Sequence, residues 1–167
     1  AMILAGAVPV RNIRSVMEPN LEFPTESRPG DRHTTDFEDH KLDVYKLIAI
    51  SKELETEELD LASLAKFREN NYWHDSNGNW ISPGQIINAY ASAGDWDKIV
   101  SDHPEWEREI RKIQEADYHS YPLLLIGEVV VDGIHRLTKA YIENATLIKV
   151  KRFSQLPNEA IIIEPGE

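Results

Sequence analysis

The stretch GEVVVDGIHRLTKAYIENA, residues 127–145, passes from a short apolar run into a pattern with helical spacing. The valines at 129–131 predict a buried strand, and the apolar positions after the glycine repeat every three or four residues, as on one face of a helix. His135 and Arg136 then fall in the first turn of that helix. The first N–H groups of a helix lack internal partners and carry a partial positive charge, and an arginine adds a forked donor. The sequence therefore predicts a strand, a turn and a helix whose start binds phosphate.

The same residues also admit a purely structural interpretation. In that interpretation Asp132 caps the helix, Gly133 opens the turn, and His135, Arg136 and Lys139 are ordinary residues of a helix whose apolar side faces the core. A pattern of strand, Asp-Gly-x-His-Arg and helix is short enough to arise without a function. The residues alone leave both interpretations open.

A longer run carries a family resemblance. The segment YPLLLIGEVVVDGIHR, residues 121–136, is followed by the helix and then by the strand LIKVKRF, residues 147–153. This order resembles the ParB/sulfiredoxin-like superfamily, in which a strand led by proline, a turn and a second strand precede a D-G-x-H-R box. The resemblance covers about residues 57–156, and its specific part is the box with its flanking strands. It implies an α/β (α+β) fold with a small mixed sheet, surrounding helices and an extended N-terminal arm.

Departures from the relatives narrow the activities that the resemblance implies. Sulfiredoxins place a catalytic Cys directly before the His, whereas this chain has Ile134 there and no Cys at all, which excludes sulfinic acid repair. ParB proteins have a more Arg-rich box and a helix-turn-helix domain after it, and the roughly fifteen residues after Arg152 are too few for that module. The free-serine kinases are more similar, because their box also reads Asp-Gly-x-His-Arg. Those kinases use a second acidic residue from an earlier loop, for which Glu69 and Asp75 are the candidates by position.

The resemblance implies a nucleotide-binding small-molecule phosphotransferase that uses ATP or ADP with Mg²⁺. Gly133, Ile134, His135 and Arg136 are expected to bind the nucleotide phosphates. Asp132 and His135 are the expected catalytic residues, with Asp132 orienting or deprotonating the acceptor hydroxyl and His135 hydrogen-bonding a phosphoryl oxygen. Two alternatives stay open: a nucleotide-sensing or protein-interaction module without catalysis, and a DNA-processing accessory protein. The expected partners are a nucleotide and a small-molecule acceptor. A homodimer is one of two alternatives that the sequence leaves open, since the N-terminal arm either wraps a neighbouring subunit or flexes.

Composition bounds these functions. The chain has 167 residues, 41% of them hydrophobic, which is enough for one compact domain. Its 18 Lys and Arg against 29 Asp and Glu give a formal net charge of −11, which argues against nucleic acid as a partner. No apolar run approaches the ~20 residues needed to cross a bilayer, and the absence of Cys fits a reducing compartment. We therefore expect a cytoplasmic protein without a membrane segment.

Residue patterns predict how the chain is organised. Residues 1–40 are polar and broken by prolines, which predicts an irregular arm. The domain is expected at 41–156 with a helical insertion at about 83–116, and residues 157–167 are expected to form a tail. Further predicted elements are a helix at 42–54, a strand near 58, a short helix at 62–70, a tight turn between Trp73 and Trp80, a helix from Ser82 to about Ala91, and a helix at 104–116.

The lysines of the last strand, the tryptophans and the histidines outside the box all have structural explanations. Lys149 and Lys151 alternate as they would on the exposed face of an edge strand. The four tryptophans could stack a purine but more often fill small cores. The six histidines contain no pair at the i, i+4 spacing of a helical metal site, so no dedicated transition-metal centre is expected.

Overall fold

A four-stranded sheet lies at the centre of the computed structural model, which describes residues 33–163. The strands of the described chain are β1 (Thr34–Phe37), β2 (His40–Asp43), β3 (Thr56–Asp60), β4 (Trp73–His74), β5 (Trp80–Ile81), β6 (Leu123–Ile126), β7 (Val129–Asp132) and β8 (Leu147–Phe153). The α-helices are α1 (Val44–Ser51), α2 (Pro83–Ala93), α3 (Trp96–Asp102), α4 (Glu107–Glu115) and α5 (Ile134–Ile142), and 3₁₀ helices cover Leu61–Glu69, Pro104–Trp106 and Asn158–Ala160.

The central sheet has the strand order β3, β8, β6, β7 and is mixed. β6 and β7 form an antiparallel hairpin, whereas β8 returns parallel to β6 after the crossover through α5. β3 pairs antiparallel with the other edge of β8. The box therefore lies at the end of β7, on an edge strand, where the chain leaves the sheet for α5.

β6 is buried on both of its faces because the sheet separates two apolar layers. Leu123 and Leu125 pack with Leu137 of α5, whereas Leu124 and Ile126 pack with Leu47 of α1. Successive side chains of a strand point to opposite faces, so a run of four apolar residues is what a strand with two covered faces requires.

A third apolar cluster holds the helical insertion together. Its buried members are Trp73, Ile81, Ile86, Ile99, Trp106, Ile110 and Ile113. α2 begins with a capping box, in which the Gln85 side chain accepts a 2.9 Å hydrogen bond from the backbone N–H of Ser82. It ends at Gly94, whose left-handed φ of 66° stops the helix. The insertion packs against α5 through Ile134 and Ile142.

Most expected elements of the domain are present. The mixed α/β architecture, the hairpin of β6 and β7, the helix after the box and the following strand are confirmed. The tight turn between Trp73 and Trp80 is a β-hairpin of β4 and β5, and a helix does begin after Ser82. No helix in the described part of the chain is long and apolar enough to span a membrane.

Three boundaries that the sequence predicted were wrong, namely those of the N-terminal arm, the first helix and the C-terminal tail. The irregular arm was expected to reach residue 40, and most of it lies outside the described residues. Thr34–Phe37 is a strand that pairs with His40–Asp43. Residues 42–54 were expected to be helical throughout, but Asp43 caps a shorter helix, Val44–Ser51. The beginning of the expected tail packs onto the domain, where Ala160 is fully buried.

The expectation of an edge strand at Lys149 and Lys151 was also wrong. β8 is an interior strand, flanked by β3 on one side and β6 on the other. The side chain of Lys149 donates to the carbonyl of His119, and that of Lys151 donates to the carbonyl of Ser51. The two lysines thus bind the loop before β6 and the last residue of α1, which lie 30 and 100 residues away in sequence.

Candidate functional site

The turn of the box is built around Gly133. Its φ is 109°, a conformation that side chains other than glycine rarely adopt, and it is the N-cap of α5. A Cβ at this position would lie 2.5 Å from Cδ2 of Leu123 and 3.0 Å from Nη2 of Arg136. Asp132, which the structural interpretation made the cap, is instead the last residue of β7. The glycine is therefore required both by the backbone conformation and by the close packing of the turn against β6.

Arg136 folds back onto the strands that precede it. Its Nη2 donates to Oδ2 of Asp132 at 2.7 Å, and its Nη1 donates to the carbonyl oxygens of Tyr121 and Pro122 at 3.1 and 3.0 Å. The residue is 8% exposed. The guanidinium thus links the residues just before β6 to the end of β7 by hydrogen bonds. Its positive charge offsets that of Asp132. A phosphate contact by Arg136 stays a prediction.

His135 is held by two contacts with the helical insertion. Its Nε2 lies 2.8 Å from Oε1 of Glu109, and its ring stacks on the indole of Trp73 with centroids 4.6 Å apart and planes 13° apart. The His135 side chain keeps 26% of its surface exposed, whereas that of Glu109 keeps 7%. The imidazole is therefore fixed in position at the start of α5 while one part of it remains accessible.

Glu109 is a charged residue within an apolar stripe of α4. Burial raises the pKa of its carboxyl, but the hydrogen bond from His135 and the charges of His135, Lys112 and Arg108 outweigh burial, so the pKa is lowered overall. The carboxyl is consequently ionised at neutral pH. A buried carboxylate of this kind needs a donor, and His135 supplies it.

Further contacts fix α5 relative to α4. The ammonium of Lys139 donates to the carbonyl oxygens of Gln114 and Ala116, both at 2.8 Å, at the C-terminal end of α4. The Glu109–His135 contact lies nearer the start of α4. Side-chain hydrogen bonds therefore connect α4 and α5 near both ends of α4.

The first turn of α5 has no side-chain cap. Because the cap is a glycine, no capping side chain accepts from the first N–H groups of the helix. The first backbone hydrogen bond of the helix runs from the N–H of Leu137 to the carbonyl of Gly133 at 2.9 Å. The N-terminal amides of α5 thus begin beside the imidazole of His135.

The structure brings the expected box residues together but not the two expected acids. Asp132, Gly133, His135 and Arg136 share one turn. Oδ1 of Asp75 accepts hydrogen bonds from the backbone N–H groups of the β4–β5 turn, and Glu69 is an exposed residue at the end of a 3₁₀ helix. Among residues 33–163, neither acid forms a hydrogen bond or ion pair with a box residue.

Glu109 is an acidic neighbour of the box that the sequence pattern did not single out. A signal was present, because Trp106, Glu109, Ile110 and Ile113 have the spacing of one helical face and all are buried. A carboxylate at a position where the pattern requires an apolar side chain marks a residue with a buried partner.

Within residues 33–163, no group of three or more His, Asp or Glu side chains is arranged to hold a metal ion. Mg²⁺ in nucleotide sites commonly takes only one or two carboxylates, with phosphate oxygens and waters completing its shell. Asp132 offers one such carboxylate, because Arg136 occupies its Oδ2 and no hydrogen bond to its Oδ1 is present among the described residues. A single carboxylate, that of Asp132, matches the protein's share of such a site, and magnesium binding stays a prediction.

Comparisons of this chain with protein-family models, with curated proteins and with solved structures found no match.

Proposed function

We propose that this chain adopts a ParB/sulfiredoxin-like fold and binds a nucleotide at the start of α5, from which it transfers a phosphoryl group to a small acceptor. The observation that carries the proposal is the arrangement of the first turn. Helix amides without a capping side chain lie next to a histidine that is fixed by a buried carboxylate and by a tryptophan. Donors for phosphate and a group able to exchange a proton thus occur in one turn.

The phosphates would bind chiefly through backbone groups. The N–H groups at Gly133 to His135 and the dipole of α5 favour negative charge at this point. Arg136 would contribute by keeping the turn in shape, since its donors already serve two carbonyls and Asp132. Asp132 would hold Mg²⁺, which offsets the charge of the phosphates when it is bound.

A second function is favoured by one observation. The carboxylate of Asp132 is paired with Arg136 at 2.7 Å, and both side chains are largely buried, so Asp132 is poorly placed to deprotonate an acceptor. In a nucleotide-sensing module the same turn would bind the nucleotide without chemistry. A phosphotransferase consumes nucleotide only when an acceptor is present, whereas a sensing module binds nucleotide without such turnover.

The first experiment is a thermal-shift panel of ATP, ADP, GTP and CTP, each with and without Mg²⁺. A nucleotide at 100 times its dissociation constant stabilises the folded state by about 2.7 kcal/mol, which raises the melting temperature measurably. Nucleotides that stabilise the protein are then incubated with a panel of small hydroxyl compounds, and phosphorylated product is measured. If none of these nucleotides raises the melting temperature at millimolar concentration, the proposal is wrong.

A matched pair of variants localises the site. His135→Ala removes the imidazole in the box, whereas His103→Ala removes a histidine that also stacks on a tryptophan, Trp106, and also lies near a glutamate, Glu105. We expect His135→Ala to lose turnover and His103→Ala to keep both binding and turnover. Equal losses in the two variants would place the activity outside the box.

A further inference from the structure

The contact between Glu109 and His135 determines which nitrogen of the His135 ring carries a hydrogen. Glu109 lies on α4, 26 residues before His135, and its carboxylate reaches the imidazole through the packing of α4 against α5. An ionised carboxylate can only accept hydrogen bonds. The hydrogen in the 2.8 Å contact must therefore be carried by Nε2 of His135.

This contact decides which nitrogen of the neutral ring is basic. When Nε2 carries the hydrogen, the lone pair of a neutral imidazole is on Nδ1. Among residues 33–163, the only hydrogen bond of the His135 ring is the one to Glu109, so Nδ1 has no protein partner there. Stacking on Trp73 restricts rotation of the ring and keeps this orientation.

We infer that Nδ1 of His135 accepts the proton of the acceptor hydroxyl, and that Glu109 is the positioning residue that fixes the tautomer of the ring. This inference rests on the proposed phosphoryl transfer and changes its expected chemistry, because proton acceptance passes from Asp132 to His135. Oδ2 of Asp132 already accepts a hydrogen bond from Arg136 at 2.7 Å. Asp132 is therefore not the proton acceptor in this scheme, and it keeps only the proposed role of holding Mg²⁺.

The step balances without another reactant. The hydroxyl oxygen forms a bond to the terminal phosphorus of the nucleotide, and the bond from that phosphorus to the bridging oxygen breaks. The hydroxyl proton moves to Nδ1, and the electron pair of the broken bond stays on the nucleotide that leaves. The imidazolium ion formed in this way is stabilised by the Glu109 carboxylate at Nε2 and afterwards releases its proton to solvent.

The tautomer is measured first, on the full chain without nucleotide. Long-range ¹H–¹⁵N spectra of the imidazoles, recorded where His135 is neutral and assigned with the His135→Ala variant, should show Nε2 protonated and Nδ1 unprotonated. Protonated Nδ1 in the neutral ring would overturn the inference whether or not phosphoryl transfer is found. This readout therefore separates a failure of the inference from a failure of the proposed function.

The kinetic test compares two substitutions on one helix. Glu109→Gln removes the charge beside His135 and keeps the size of the side chain, whereas Glu107→Gln removes the same charge from an exposed residue that pairs with Arg111. We expect Glu109→Gln to lower kcat about 100-fold, which is the size typical of a lost acid–base contribution. Its nucleotide affinity should change little. Glu107→Gln should behave as the parent protein. If kcat is the same in both variants while both stay folded, Glu109 has no part in the reaction.

Discussion

The guanidinium of Arg136 lies 2.7 Å from the carboxylate of Asp132, so the first and last residues of the D-G-x-H-R box bind each other across the turn. Arg136 also donates to the carbonyls of Tyr121 and Pro122. The box therefore has a structural role, since it joins the residues just before β6 to the end of β7. A ligand at this turn would depend on the helix amides and on His135 more than on the arginine that the sequence pattern emphasises.

Replacing Arg136 with Met should strongly destabilise the fold. It leaves the buried carboxylate of Asp132 without its cation and two carbonyls without their donor, and removing one partner of a buried ion pair costs about 3–5 kcal/mol. The free energy of unfolding is measured by urea denaturation. Arg111→Met is the control, because Arg111 forms an exposed ion pair with Glu107 and such pairs contribute about 0–1 kcal/mol. Similar losses in the two variants would show that the Arg136 contacts contribute little to stability.

A Gly133→Ala substitution tests the packing of the turn. The φ of 109° is unfavourable for alanine, and its Cβ would overlap Cδ2 of Leu123 at 2.5 Å. We expect a loss of about 2–4 kcal/mol, the sum of backbone strain and overpacking. Gly94→Ala has the same type of backbone conformation, with φ of 66°, but its Cβ would have no atom within 4 Å, so we expect a loss of about 1–2 kcal/mol from strain alone. Chemical denaturation of both variants gives the difference, and a Gly133→Ala protein as stable as Gly94→Ala would contradict the steric argument.

The local parts of the fold could be predicted from sequence, and the long-range parts could not. The apolar run of β6, the hairpin turn after it and the helix after Gly133 follow from periodicity and turn residues within a few positions. The interior position of β8 depends on its pairing with β3, which is about 90 residues earlier in the chain. No pattern within β8 itself distinguishes an interior strand from an edge strand, because three of its seven residues are charged.

The same distinction applies to the site. The sequence placed His135 and Arg136 correctly in the first turn of a helix, because that depends on the box alone. It did not show that Arg136 turns back towards Tyr121, fifteen residues earlier, or that Glu109 reaches His135 from another helix. Side-chain partners of this kind are set by how elements pack, and a single sequence gives only the weak signal of a charged residue on an apolar face.

The lowered pKa of Glu109 makes a pH-dependent prediction for stability. Because the pKa in the folded protein lies below the ordinary value of 4.5, the ionised carboxylate stabilises the fold fully above that pH, and this contribution is lost as the pH falls through the folded value. The charged groups around it are His135, Lys112 and Arg108. The free energy of unfolding of the parent protein minus that of Glu109→Gln should therefore decrease as the pH is lowered below about 4.5. Glu107→Gln provides the matched control, and a Glu109 difference that stays constant down to the acid unfolding transition would contradict the prediction.

Tyr118 should titrate far above an ordinary tyrosine. Burial and the 2.6 Å hydrogen bond that its hydroxyl donates to Glu143 raise its pKa from 10.0 to about 12. A raised folded pKa means that the neutral phenol stabilises the fold fully below pH 10.0, and that this contribution is lost as the pH rises towards about 12. The absorbance of phenolate, measured as the difference between the parent protein and Tyr118→Phe during an alkaline titration, should have its midpoint near that value. Glu143→Gln should lower the midpoint, because it removes the neighbouring negative charge. A midpoint near 10.0 in the parent protein would instead show that the hydroxyl is exposed to solvent and not bound to Glu143.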